Sequence, residues 1–156
     1  MYEVLNIRSL KQATPNLRVI NLWGVSFVDD SHVEAFSSNC IQLAVLCLNY
    51  CPKVQVCNIL DTSHTILYHT LFQGSSLKIL LQRCKHLTCL MLQQTGLVGE
   101  QVSQAEWDKA SSLSELDITA TDLSTPVILD ILTRIPALTW LSAGQLDGMT
   151  DDVLNQ

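Results

Sequence analysis

Apolar positions along the chain recur in triplets, spaced by three residues and then by two. They are Leu17, Ile20, Leu22; Leu43, Leu46, Leu48; Leu87, Leu90, Leu92; Leu113, Leu116, Ile118; and Leu138, Leu141, Ala143. The first members are separated by 26, 44, 26 and 25 residues. The second and third members of a triplet are two apart, so an extended chain puts them on one face and the residues between them on the other. The triplets therefore predict five short strands, near 18–23, 44–49, 88–93, 114–119 and 139–143.

The segments between triplets change to helical periodicity. Ser31-x-x-Glu34, just after Asp29-Asp30, reads as a capping box leading into Val33, Phe36 and Cys40 on one face. Ser75-Ser76 opens a run in which Leu77, Leu80, Leu81 and Cys84 share a face. Thr125-Pro126 supplies an N-cap and a proline at the first helical position. Val127, Ile128, Ile131 and Leu132 follow as a stripe that ends near Pro136. A weaker helix is expected at 100–110, with Val102, Ala105 and Trp107 inward. An opening helix at roughly 2–13 groups Val4, Ile7 and Leu10.

One strand and one helix every 26 residues or so is the signature of a leucine-rich repeat, in which each unit buries its apolar edge on the next. The expected fold is α/β: a right-handed horseshoe solenoid in one domain over 1–156. Parallel strands line its concave face and helices its convex face. The step of 44 leaves extra chain at 55–75. Val54-Gln55-Val56-Cys57-Asn58-Ile59-Leu60 could be the strand of a degenerate repeat, but no leucine triplet follows it, which favours an insertion. Met149-Thr150-Asp151-Asp152-Val153-Leu154 reads as the start of a further helix, as expected of a piece of a longer chain.

Composition fits this picture. Apolar residues make up 47% and charged residues 15%, as a continuous leucine core requires. No run approaches the ~18 apolar residues of a transmembrane helix, and the first residues lack the basic start and apolar stretch of a signal peptide. The net charge of −6 argues against nucleic acid. Residues 1–87 hold seven Lys/Arg against five Asp/Glu, and residues 88–156 hold two against ten, so the acidity lies in the second part. The six cysteines, Cys40, Cys47, Cys51, Cys57, Cys84 and Cys89, are not gathered into terminal caps, and several sit at equivalent repeat positions. That pattern suits reduced thiols used as small apolar groups, in the cytoplasm or nucleus.

A second layer of pattern lies between the leucines. Cys40-Ile41-Gln42-Leu43 and Cys84-Lys85-His86-Leu87 place a cysteine three before the first leucine. Cys51 lies eight after Leu43, and Val28-Asp29-Asp30 and Met149-Thr150-Asp151 follow the same loop position in other units. Together they resemble the cysteine-containing leucine-rich repeats, C-x-x-L-x-x-L-x-L-x-x-C-x-x-I-T-D, best known from F-box/leucine-rich-repeat proteins. Those are substrate receptors of cullin-based SCF ubiquitin ligases. The resemblance covers most of 14–154 apart from 55–75. Thr14, Ala110 and Ile135 replace the first cysteine, and Val25, Thr95, Thr121 and Leu146 the second. It implies a non-catalytic module that recognises a protein substrate. Skp1 and a cullin would join only through an F-box, which this sequence does not contain. The competing expectation is a free-standing leucine-rich-repeat adaptor or assembly factor with no ligase link.

Strand alternation names the binding face. The residues expected to carry it are Asn21, Trp23, Asn49, Tyr50, Met91, Gln93, Glu115, Asp117 and Trp140. Aromatic and Met residues are enriched at interfaces. Lys and Arg are missing from these positions, which disfavours a phosphorylated ligand. No phosphate loop or Gly-x-Ser-x-Gly elbow occurs, and His32, His64, His69 and His86 have no nucleophile or carboxylate at a motif spacing. A zinc site built from Cys57, His64, His69, Cys84, His86 and Cys89 is disfavoured, because Cys84 should face the core and Cys89 the open sheet. No cofactor and no membrane contact are expected.

Overall fold

The computed structural model describes residues 15–52, 54, 76–95, 97, 102 and 105–146. Among them the chain forms an α/β structure with a five-stranded sheet and three helices. The strands are β1 (Val19–Asn21), β2 (Val45–Cys47), β3 (Cys89–Met91), β4 (Glu115–Asp117) and β5 (Trp140–Ser142). All neighbours pair in parallel, in sequence order. The helices are α1 (Asp30–Asn39), α2 (Ser76–Arg83) and α3 (Thr125–Arg134). A single 3-10 turn, Trp107–Lys109, precedes β4. The expected helix at 2–13, the 55–75 segment and the expected helix start at 149 lie outside the described residues.

The register follows the leucines. Ile20, Leu46, Leu90, Leu116 and Leu141 pair side by side across the sheet. The three central leucines have no exposed surface, and all five belong to or pack on one core cluster. Each fully buried leucine is worth roughly 2 kcal/mol of transfer free energy. The strands are three residues long, but their hydrogen-bond ladder is longer. The carbonyls of Arg18, Ala44, Thr88 and Ser114 each accept two amides from the next strand's entry, at 2.8–3.1 Å. Beyond the strands, Leu22, Leu48, Leu92 and Ile118 donate to Cys47, Met91, Asp117 and Ser142 at 2.8–2.9 Å.

Two residues past each ladder the backbone turns through the left-handed region. Gly24, Tyr50, Gln94, Ala120 and Gln145 have φ of 70, 60, 50, 53 and 55°. Their sequence steps repeat those of the leucines. Four of them donate an amide to the neighbouring loop: Gly24 to Asn49, Tyr50 to Gln93, Gln94 to Thr119 and Ala120 to Gly144, at 2.8–3.0 Å. At Tyr50, Gln94 and Ala120 these bonds hold a side-chain-bearing residue where an L-residue is disfavoured by about 1–2 kcal/mol.

The helices bury the expected faces. Val33 and Phe36 of α1, with Cys40 just beyond it, are at most 2% exposed, and Leu77, Leu80 and Leu81 of α2 are 1% exposed. Val127, Ile128 and Ile131 of α3 are buried too. Their starts differ from expectation by small shifts. The N-cap of α1 is Asp29, whose carboxylate accepts from Ser31 N at 3.1 Å and His32 N at 3.4 Å, so Ser31 and Glu34 do not form the box. His32 Nδ1 completes it, 3.3 Å from Asp29 N and 2.7 Å from Asp29 Oδ1. An unprotonated Nδ1 accepts from the amide; a protonated one donates to the carboxylate. Burial raises the Asp29 carboxyl pKa, but hydrogen bonds from Ser31 and His32 outweigh it and hold the group below its usual value. In α3 the N-cap is Ser124 rather than Thr125, and no side chain caps it.

In the 100–110 segment, where a helix is expected, Val102 is helical among the described residues. The segment's described end is the 3-10 turn. Val102, Ala105 and Trp107 are inward, with Trp107 fully buried and its Nε1 donating to Val102 O at 2.9 Å.

Replacing Ala120 by Gly removes the left-handed penalty at a half-buried position. It should raise unfolding free energy by about 0.5–1 kcal/mol in a urea titration. A loss of stability would contradict the turn geometry.

Candidate protein-binding face of the sheet

The face of the sheet opposite the leucine column is built by the strand positions on either side of each central residue. One row runs Val19, Val45, Cys89, Glu115, Trp140, and the next runs Asn21, Cys47, Met91, Asp117, Ser142. Neither row contains Lys or Arg. The exposed large apolar side chains here are Val19 at 57%, Trp23 at 65%, Tyr50 at 37% and Trp140 at 46%.

The nine residues singled out from the sequence divide into two sites and a structural remainder. Trp23 and Tyr50 stack, with centroids 5.8 Å apart and planes 9° from parallel. Gln93 Nε2 donates to the Tyr50 hydroxyl at 3.1 Å, extending this group to a third unit. Glu115 and Trp140 are directly paired on β4 and β5, both exposed. The two Trp residues thus lie at opposite edges of the sheet, β1 and β5, and do not form one patch. Met91, half-buried, pairs with Cys47 between them.

Asn49 and Asp117 are only 8% exposed, and backbone needs explain this. Asn49 Oδ1 accepts from Gln93 N at 2.8 Å, and Asp117 Oδ1 from Thr119 N at 2.9 Å. They hold the turns rather than present a contact surface. Asn21 repeats the bond in the open, accepting from Trp23 N at 3.1 Å. Val19 is the exposed face residue absent from the nine; strand alternation alone carries its signal. Ser142, also absent from them, shares a 2.7 Å hydroxyl contact with Thr119.

The sulfur atoms serve packing. Cys40, Cys51, Cys84 and Cys89 are buried and Cys47 is half-buried. Cys51 Sγ donates to Leu22 O at 3.1 Å, and Cys84 Sγ lies 3.9 Å from Cys40 O. Thr95 and Thr121, at the Cys51 position in later units, send hydroxyls back to Leu92 O and Ile118 O at 2.7 Å. Burial, then the adjacent Cys40 thiol, pushes the Cys84 thiol up to about 11. Burial, then the hydrogen bond to the Glu115 carboxylate, pushes Cys89 up to about 11. Among the described residues, no three His, Cys, Asp or Glu side chains are placed to hold a metal ion. Of the set considered for zinc, Cys57, His64 and His69 lie outside the described residues; Cys84 is in the core, and His86 is exposed in a turn. Among the described residues no helix is long and apolar enough to cross a membrane.

No family model matches the chain, and a search of curated proteins finds no match.

The raised thiols set a pH dependence. In the unfolded chain these groups ionise first, so their contribution to stability is full below about pH 9 and declines as pH rises toward about 11. The urea midpoint should therefore fall between about pH 8 and about pH 10.5, and fall less in Cys84→Ala. An equal fall in both proteins would show that Cys84 is not held neutral by the core.

Proposed function

We propose that this chain is a leucine-rich-repeat module, a right-handed solenoid of the cysteine-containing class, that binds a protein through its concave sheet face. The observation that carries the reading is the pairing of a buried, in-register leucine column with an opposite face that exposes aromatic side chains. Ile20, Leu46, Leu90, Leu116 and Leu141 pair side by side, while Trp140 on β5 and Trp23 and Tyr50 in the turns after β1 and β2 are exposed. Recurring left-handed turns at 24, 50, 94, 120 and 145 support a repeat. Aromatic anchors exposed on a rigid scaffold are the usual carriers of interface energy.

The substrate-recognition region of an F-box-type receptor in a cullin-RING (SCF) ubiquitin ligase is the specific role proposed, and the cysteine-bearing repeat pattern is its support. Cys40 and Cys84 are buried three residues before Leu43 and Leu87, and Leu43 N and Leu87 N donate to their carbonyls at 2.9 and 3.1 Å. In that role the chain selects a protein and performs no chemistry on it. Co-purification of Skp1 and a cullin with the natural gene product, expressed in its own cells, checks the ligase assignment. Their absence from a purification that retains other partners would favour the free-standing adaptor.

Trp23 and Trp140 are 65% and 46% exposed, so removing them leaves the core intact. Trp23→Ala with Trp140→Ala should lower partner capture by about a hundredfold while the thermal midpoint stays within a degree or two. Undiminished capture in a quantitative pull-down would contradict the assignment of this face.

A further inference from the structure

We infer that the partner of the open face is an extended basic segment, whose Lys or Arg side chain lies between the Glu115 carboxylate and the Trp140 indole while an apolar or planar side chain packs on the Trp23–Tyr50 stack. This rests on the protein-binding reading above and names the class of partner.

The β5 end supplies the first half of the argument. Glu115 and Trp140 are registered neighbours, so their Cα atoms are about 4.8 Å apart and their side chains leave the same face. Both are exposed. A carboxylate beside an open indole face suits a guanidinium or ammonium group, which gains a charged hydrogen bond from one and a cation–π contact from the other. Glu115 accepts a hydrogen bond from the Cys89 thiol, which uses one of about four carboxylate acceptor sites. Asp117 adds negative charge one step along the same strand face. No Lys or Arg occupies the ten strand positions of this face to neutralise the pair. Among the described residues, the cation that adjoins a strand of this sheet in the register is Arg18, at the opposite edge beside β1. A cation supplied by the partner is the complement this charge distribution lacks.

The β1 end supplies the second half. The Trp23–Tyr50 stack has its polar end engaged, since the Tyr50 hydroxyl accepts from Gln93. What it presents is ring surface. The stack joins the loops after β1 and β2 and the pair joins β4 and β5, so they lie three strand spacings, roughly 14 Å, apart across the sheet and about four residues, roughly 13 Å, apart along it, or roughly 19 Å in all; an extended chain covers ~3.3 Å per residue. A segment crossing the strands would therefore place its basic and its apolar anchors about six residues apart.

The test is selection of an unbiased dodecapeptide display library on the full chain, followed by anisotropy titration of one enriched peptide. Enriched peptides should carry Lys or Arg and, about six residues away, an aromatic or large apolar residue. Glu115→Gln should weaken the titrated peptide about tenfold and flatten its salt dependence. Trp23→Ala should relax the preference at the apolar position alone. Enriched peptides that are neutral or acidic, yet still depend on Trp23 and Trp140, would overturn the basic-segment inference and leave the binding face standing. Peptides indifferent to every substitution on this face, or no enrichment at all, would overturn both.

Discussion

The in-register column of Ile20, Leu46, Leu90, Leu116 and Leu141 is the constraint from which the other features follow. In a parallel sheet a one-residue slip would turn every side chain to the opposite face. Here a slip would carry leucines into the open and bring Glu115, Asp117 and Trp140 against the core. Burial of Leu46, Leu90 and Leu116 thus fixes which side of each strand is available for contact. The two-to-one amide bonding at each strand entry and the left-handed turn after each exit repeat that register in the backbone. The core and the open face are consequences of the same pairing.

Polar side chains near the strands are used to secure this arrangement before any are free for recognition. Asn49, Asp117, Thr95 and Thr121 each satisfy a nearby backbone group. No buried side-chain nitrogen or oxygen among the described residues lacks a hydrogen-bond partner. On the outer surface, Arg134 bonds to Ala105 O at 2.9 Å and reaches Asp108 at 3.3 Å, while Lys78 reaches Glu106 at 3.2 Å, tying α3 and α2 to the segment around the 3-10 turn. Exposed ion pairs of this kind are weak, typically below about 1 kcal/mol; their role is to position. The side chains left exposed on the sheet include Val19, Glu115 and Trp140.

Much of this was legible in the sequence because leucine spacing reports burial directly. Each triplet marks a strand, and the stripes Val33–Phe36, Leu77–Leu80–Leu81 and Val127–Ile128–Ile131 mark helix faces through side-chain volume and period. The departures are all places where one side chain satisfied a local need that periodicity does not encode. Asp29 won the N-cap over Ser31 because its carboxylate reaches two amides, with His32 as an unexpected partner. Toward the end of the stretch expected to be helical, 107–109 form a 3-10 turn, with the Trp107 indole bonded to Val102 O. Alternation put Asn49 and Asp117 on the open face, but the amides of Gln93 and Thr119 claimed their side chains. The separation of Trp23 from Trp140 needed the strand order, which composition does not carry.

Native-state hydrogen exchange would show whether the column acts as one unit. The amides of Leu48 and Leu92, which bridge β2 to β3 and β3 to β4, are expected to share one opening free energy equal to that of global unfolding. A markedly lower value at Leu48 than at Leu92 would mean that the sheet parts between β2 and β3, and would contradict a single continuous leucine column.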